Sequence, residues 1–214
     1  MRTNTMLTVM LSGTVAAMGV AHGQSLSGDA LVSALRNGGY VMVMRHASSP
    51  REAPDRQVAN PDNVQLERQL DAAGRAGAIA MGEALRALKI PLGDVLTSPT
   101  YRAQETVRFM QLSNPQPVTE LGDGGQSMQA VADAQAVWLR ERVTRLPAGP
   151  NTIIVTHMPN LARAFPAWGA GVADGEAVIL RPDGKDGTLQ VGRIRIEEWG
   201  MLAAAGAQPR PGAR

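Results

Sequence analysis

The chain has 214 residues, of which 44% are hydrophobic and only 3% aromatic, and its formal net charge is +2. This length is typical of one ordinary domain, with a core filled by aliphatic side chains and methionine. The near-neutral charge, the lack of a dense basic run and the scarcity of aromatic stacking surfaces argue against nucleic-acid binding. The chain has no cysteine, which excludes disulfides and thiolate chemistry.

Residues 1–23 have the pattern of a signal peptide. A short basic start precedes an apolar stretch over 6–21, and small residues follow, which predicts cleavage after Ala21 or Gly23. We therefore expect a periplasmic or secreted protein with no stable membrane insertion after cleavage. An uncleaved membrane anchor is the competing interpretation, although the apolar stretch is short for a span and contains polar residues.

The next residues predict a helix followed by a buried strand. Ser27 or Asp29 is a suitable N-cap for a helix that ends at a pair of glycines. The continuous apolar run Tyr40–Met44 is too short for a helix and predicts a buried parallel strand. This strand delivers Arg45 and His46 at the point where it ends.

Residues 49–64 show no periodicity and contain several prolines. This pattern predicts a long loop, and long loops above a strand end often contact substrate. We expect Arg51 and Arg56 in this loop to select the substrate; a solvated surface loop is the alternative interpretation.

A helix, a strand and a second helix are predicted next. Asp71 is a suitable N-cap for a helix that ends near Leu88, and a short apolar strand follows. Ser98 and Pro99 have the character of N-cap and first helical residue, so the next helix is predicted to begin there. Arg102 then lies in its first turn.

The last part of the chain changes from helix to hairpin. A brief extended piece is predicted over 118–121, and a strand over 152–156 that ends at His157. Between them a helix is predicted over 128–146, and its expected inward face consists of Met128, Val131, Ala134, Trp138 and Leu139. Strands over 177–180 and 189–194, joined by a turn-rich segment, predict an antiparallel hairpin.

These elements predict a three-layer α/β/α sandwich with a mostly parallel sheet and an antiparallel C-terminal hairpin. One domain is expected over 24–204, followed by a disordered tail over 205–214. Because the carboxyl ends of parallel strands meet at one edge of a sheet, the side chains that follow them are expected to share a pocket.

The residues at these strand ends suit phosphate chemistry. Arg45 and Arg102 each present a planar fork of donors that fits phosphate oxygens. A neutral histidine beside such a clamp can attack phosphorus as a nucleophile, and a second histidine can stabilise charge on the transferring group. His46 and His157 are the candidates. Two histidines without an accompanying carboxylate pattern make a poor zinc site.

Three motifs resemble those of the histidine phosphatase superfamily, the phosphoglycerate mutase-like family. They are Arg45-His46-Ala47 after an apolar strand, Ser98-Pro99-Thr100-Tyr101-Arg102-Ala103-Gln104-Glu105-Thr106, and Val155-Thr156-His157. The segment Leu70-Asp71-Ala72-Ala73-Gly74-Arg75-Ala76-Gly77-Ala78 resembles the helix start that the family places between the first two motifs. Ala47 stands where the family usually has glycine. Alanine also occurs at this position in bacterial members similar to phosphohistidine phosphatases.

The resemblance implies roles for individual residues. His46 would be the phosphorylated nucleophile, and Arg45, Arg102 and His157 would complete the phosphate pocket. Ser48 would add a hydroxyl to the phosphate, or it is a simple turn residue. The reaction implied by the resemblance needs no metal and no organic cofactor.

The general acid is the least defined part of the predicted site. Glu120 lies where many members of the family place an acid, in a pattern that the sequence matches only loosely, and Asp123 is the second candidate. A third possibility is that no acid is needed, because a phosphoramidate leaving group is easier to expel.

The predicted function is metal-independent hydrolysis of phosphomonoesters or phosphoramidates through a phosphohistidine, with a phosphorylated small molecule or envelope component as substrate. Three alternatives stay open at this point. The first is a non-catalytic periplasmic module that binds phosphorylated ligands, the second a phosphomutase with the same pocket, and the third an envelope-associated structural protein.

Overall fold

The computed structural model describes residues 25–50, 67–123 and 129–207. The predicted signal peptide, Arg51 and Arg56 with most of their segment, Met128 and residues 208–214 lie outside the described residues. The described helices are α1 Gly28–Arg36, α2 Ala72–Ala87, α3 Tyr101–Phe109, α4 Gln129–Thr144, α5 Met158–Ala164 and α6 Glu198–Ala207. The described strands are β1 Val41–Arg45, β2 Leu92–Thr97, β3 Pro115–Pro117, β4 Asn151–Thr156, β5 Ala177–Pro182 and β6 Thr188–Ile194.

The strands form one six-stranded sheet in the order β3-β2-β4-β1-β5-β6. The pairs β3-β2, β2-β4 and β4-β1 are parallel, whereas β5 runs antiparallel to β1 and β6 antiparallel to β5. The sheet is therefore mostly parallel with an antiparallel C-terminal hairpin, which confirms the predicted fold class.

Alternate side chains of the central strand β1 enter two separate cores. Met42 and Met44 pack with buried side chains of α1, α2, α3 and the α6 residue Trp199. Val41 and Val43 pack with those of α4 and α5. Because successive strand residues point to opposite faces, helices cover both sides of the sheet and give three layers.

The predicted inward face of α4 is wrong for most of its residues. Val131 is 43% exposed, Ala134 is exposed and Trp138 is only half-buried, whereas Leu139 is buried as expected. The side chains of α4 that are buried are Ala132, Gln135, Ala136, Leu139 and Val143. The physical reason is that the helix carries small apolar residues on all of its sides, so the spacing of hydrophobic residues does not reveal which face is packed.

Two further boundaries differ from expectation. The extended piece lies at β3, three residues earlier than predicted, and Thr119–Leu121 forms a 3-10 turn. Pro115 and Pro117 lack an amide hydrogen, so this segment fits an edge strand and not an interior one. Helix α6 continues to Ala207, into the predicted tail. None of the described helices is long and apolar enough to cross a membrane.

Candidate active site

Three neighbouring strands deliver the candidate side chains to one edge of the sheet. His46 directly follows β1, His157 directly follows β4, and α3 with Arg102 follows β2. These strands are adjacent in the order β2-β4-β1 and parallel. The two imidazole rings consequently lie 5.2 Å apart between centroids, at an interplanar angle of 62°.

His46 is held as a neutral imidazole with its Nε2 lone pair toward Arg102. Its Nδ1 lies 2.7 Å from the carbonyl oxygen of Ala47, which can only accept, so Nδ1 carries the proton. Arg102 Nε donates to His46 Nε2 at 3.2 Å. Burial lowers the pKa of His46 to about 4, against the raising effect of the Ala47 hydrogen bond and with the help of the arginine charges. The ring is therefore neutral at pH 7, the form that a nucleophile needs.

His157 is neutral for the same reason and has the opposite tautomer. Arg102 Nη2 lies 3.1 Å from His157 Nδ1, which must accept because a guanidinium only donates. The Nε2–H then donates to Ser98 Oγ at 2.8 Å, with Thr100 Oγ1 at 3.2 Å. Burial, followed by the charge of Arg102, lowers the pKa of His157 well below its usual range.

Ser98 therefore contacts His157 and does not cap α3, contrary to the prediction. The N-cap is Thr100, and the Ser98 hydroxyl accepts from the Thr100 amide at 3.2 Å. A serine hydroxyl that accepts from the amide two residues later forms a local turn. This hydrogen bond competes with the one that the hydroxyl would make as an N-cap.

Arg102 is the centre of the cluster. It is only 6% exposed, and besides the two histidines its Nη2 contacts Asp123 Oδ2 at 2.5 Å. The hydroxyl of Thr106, one turn later on α3, donates to the Arg102 carbonyl and accepts from the amide of Ala47. A surface ion pair of Arg102 with Glu105 or Glu120 would not agree with this burial and these contacts.

Arg45 lies at the rim of the same edge. Its Nη2 is 2.8 Å from Asp174 Oδ1, in the segment before β5, and its side chain is 23% exposed. The two histidines thus lie close to one buried positive charge, that of Arg102, and to one half-buried positive charge, that of Arg45.

Comparison with known proteins gives the same architecture. No family model and no curated protein matches the sequence. The structure matches that of the protein histidine phosphatase SixA complexed with tungstate, with a TM-score of 0.51 and 19% identity, over 74% of this chain and 98% of that chain. It matches the proposed phosphohistidine phosphatase SixA from Agrobacterium tumefaciens with a TM-score of 0.51 and 15% identity, over 73% and 97% of the two chains.

The chain has the histidine phosphatase fold. At the level of fold, this confirms the resemblance that the sequence motifs indicate. Within the histidine phosphatase fold, His46, His157, Arg45 and Arg102 meet at the carboxyl ends of the parallel strands, as predicted from their positions.

Ser48 has a structural contact. Its hydroxyl donates to Asp71 Oδ2 at 2.7 Å, and Asp71 caps α2 by accepting from the Gly74 amide at 2.7 Å. Because a hydroxyl has one proton, Ser48 can donate to a phosphate only if it gives up this hydrogen bond to Asp71. The contact between Ser48 and phosphate stays a prediction.

The structure brings Asp123, and not Glu120, against the cluster. Glu120 is half-buried on the 3-10 turn, and in the described part of the chain no hydrogen bond or ion pair links it to the two histidines or to the arginines beside them. Asp123 lies three residues later and contacts Arg102. Of the two acids considered from the sequence, Asp123 is the one at the site.

Two charged residues of the neighbourhood escaped the sequence analysis. Arg68 precedes α2 and helps to lower the pKa of both histidines by its positive charge, and its Nε donates to the Pro50 carbonyl at 2.7 Å. Asp174 is the partner of Arg45. Neither lies in a motif; the only signal for Arg68 is a cation three residues before a helix cap.

The described residues at this edge of the sheet do not form a set of metal ligands. Among residues 25–50, 67–123 and 129–207, no group of three or more histidine, aspartate or glutamate side chains could hold a metal ion.

Proposed function

We propose that the protein is a phosphatase that hydrolyses phosphomonoesters or phosphoramidates through a covalent phosphohistidine on His46. The observation that carries this proposal is the neutral His46 ring, whose Nε2 lone pair faces the Arg102 guanidinium at 3.2 Å. A phosphate bound to that guanidinium would present its phosphorus to the lone pair.

In the first step His46 Nε2 attacks phosphorus and the bond from phosphorus to the leaving oxygen or nitrogen breaks. Arg102 and Arg45 neutralise charge on the phosphoryl oxygens, and His157 lies on the same side of Arg102, where it can contact the transferring group. The leaving atom takes a proton from Asp123, which has to leave Arg102 and take up a proton before it can act as the acid.

In the second step water attacks the phosphohistidine. Nδ1 keeps the proton that it shares with the Ala47 carbonyl, so the phosphorylated ring carries positive charge. This charge favours cleavage of the bond between phosphorus and Nε2. Inorganic phosphate and the neutral imidazole are released, and the proton from water replaces the one given to the leaving atom.

The substrate proposed is a phosphorylated small molecule or envelope component. The signal-peptide pattern of residues 1–23 supports a location in the periplasm or outside the cell. No resident metal or organic cofactor takes part in either proposed step.

The proposal is tested with p-nitrophenyl phosphate and a phosphoramidate, using the unchanged chain beside His46→Ala. We expect His46→Ala to lower kcat on the order of 10⁴-fold or more, as removal of a nucleophile does. Mass spectrometry of the chain mixed rapidly with substrate should show acid-labile phosphate on the peptide that contains His46, and the label should be lost in the variant. Activity that survives His46→Ala would overturn the mechanism.

A further inference from the structure

The donors on one edge of Arg102 are all in use in this structure. The single Nε hydrogen is directed to His46 Nε2. Of the two Nη2 hydrogens, one serves His157 Nδ1 at 3.1 Å and the other serves Asp123 Oδ2 at 2.5 Å. This edge faces both imidazoles, so a phosphoryl group on His46 Nε2 has to lie against it. A phosphate oxygen can bind Nη2 only if one present partner gives way.

The two partners of Nη2 differ in their exposure to solvent. His157 is 1% exposed, and its other ring nitrogen is fixed by the hydroxyls of Ser98 and Thr100. The Asp123 side chain is 24% exposed and follows the 3-10 turn Thr119–Leu121. Of the two partners, Asp123 is therefore the one that water and an incoming phosphate can reach.

We propose that Asp123 occupies on Arg102 the place that a phosphate oxygen takes, and that it is displaced each time phosphate binds. The proposal rests on the phosphatase function proposed above. Asp123 is then a residue that sets the affinity of the site for phosphate, because a carboxylate and a phosphate oxygen compete for one donor.

The competition has a direct effect on the product. Inorganic phosphate released from His46 has to leave a buried arginine that attracts it strongly. A displaced carboxylate close by repels the dianion and can return to Arg102 as phosphate leaves. The internal carboxylate thereby weakens product inhibition.

The test measures the binding of inorganic phosphate by titration calorimetry, with product inhibition of p-nitrophenyl phosphate hydrolysis measured in parallel. Asp123→Asn removes the charge and keeps the side-chain shape, so we expect the Kd and Ki for phosphate to fall on the order of tenfold. Asp123→Glu restores the carboxylate and should return both values toward those of the unchanged chain.

Asp133→Asn is the matched control. It removes the same charge from an exposed ion pair with Arg163 on the surface of α4 and α5, and phosphate affinity should not change. Thermal unfolding verifies that each variant is folded, and Asp123→Ser replaces Asp123→Asn if the latter does not fold.

The opposite outcomes overturn the inference. If Asp123 only holds Arg102 in position, Asp123→Asn weakens phosphate binding, and if Asp123 does not compete with phosphate at all, the affinity is unchanged. Suppose that the unchanged chain hydrolyses p-nitrophenyl phosphate but Asp123→Asn does not bind phosphate more tightly. This result refutes the displacement of Asp123 and leaves the proposed function intact. An unchanged chain that neither binds phosphate nor hydrolyses the substrate refutes the proposed function as well.

Discussion

Arg102 and Arg45 carry the same charge to the same two histidines from very different depths. Arg102 is buried on α3 and contacts His46, His157 and Asp123 at once, whereas Arg45 ends β1 at the rim and is paired with Asp174. Charge interactions strengthen where water is excluded and weaken where solvent and salt screen them. Arg102 therefore orients the imidazoles, while Arg45 adds charge without fixing either ring.

The same substitution at both positions should separate these roles. Arg102→Lys keeps a positive charge and loses the planar fork that contacts three groups, so we expect kcat/KM to fall about 10²- to 10³-fold. Arg45→Lys should cost about tenfold or less, because a point charge at the rim still attracts phosphate. Steady-state kinetics with p-nitrophenyl phosphate measures both. Equal losses would show that depth does not distinguish the two arginines.

The buried side of the site should also dominate the response of stability to pH. The pKa of His46 lies at about 4 in the folded protein and at 6.5 when unperturbed. Between these values the unfolded state binds more protons, so the free energy of unfolding falls as pH drops from 6.5 toward 4. We expect His46 alone to account for a loss of about 3 kcal/mol.

Urea unfolding at a series of pH values measures this loss. His46→Gln should reduce the slope because its side chain does not titrate, and Arg45→Lys should leave most of the slope in place. A chain whose stability does not change over this pH range would contradict the assignment of a buried, neutral His46.

The smallest effect is expected at the partner of Arg45. Asp174→Asn removes the carboxylate from a half-exposed ion pair, which is worth at most about 1 kcal/mol. Arg45 becomes less ordered, so KM for p-nitrophenyl phosphate should rise about threefold with kcat unchanged. A large fall in kcat would contradict this and would indicate that Asp174 has to hold Arg45 in place for the chemical step.

Local sequence signals predicted the fold well where one physical cause dominates. Asp71 caps α2 as expected because a carboxylate suits the free amides of a first turn. The apolar run of β1 predicted a strand buried on both faces, and its side chains enter both cores. Helix α4 shows the limit, since its buried face is set by what packs against it and the periodicity of its own residues is weak.

The site divides in the same way. His46, Arg102 and His157 were predictable because each follows a strand, and parallel strands end together. Glu120 ranked above Asp123 because it follows the predicted extended piece in a pattern that resembles the family's. In the structure a 3-10 turn, which spacing alone does not reveal, brings Asp123 to Arg102. Arg68 and Asp174 lie outside the helices and strands, and no local pattern encodes where such residues are placed.

One small contact beside the site limits how this protein can change. Gly74, in the first turn of α2, lies so close to the loop after His46 that a Cβ there would be 2.1 Å from the Ser48 carbonyl oxygen. That same carbonyl accepts from the Asp71 amide, and the Ser48 hydroxyl donates to the Asp71 carboxylate. The start of a helix and the loop after His46 are thus built as one piece. A larger residue at position 74 would have to be accompanied by a new loop.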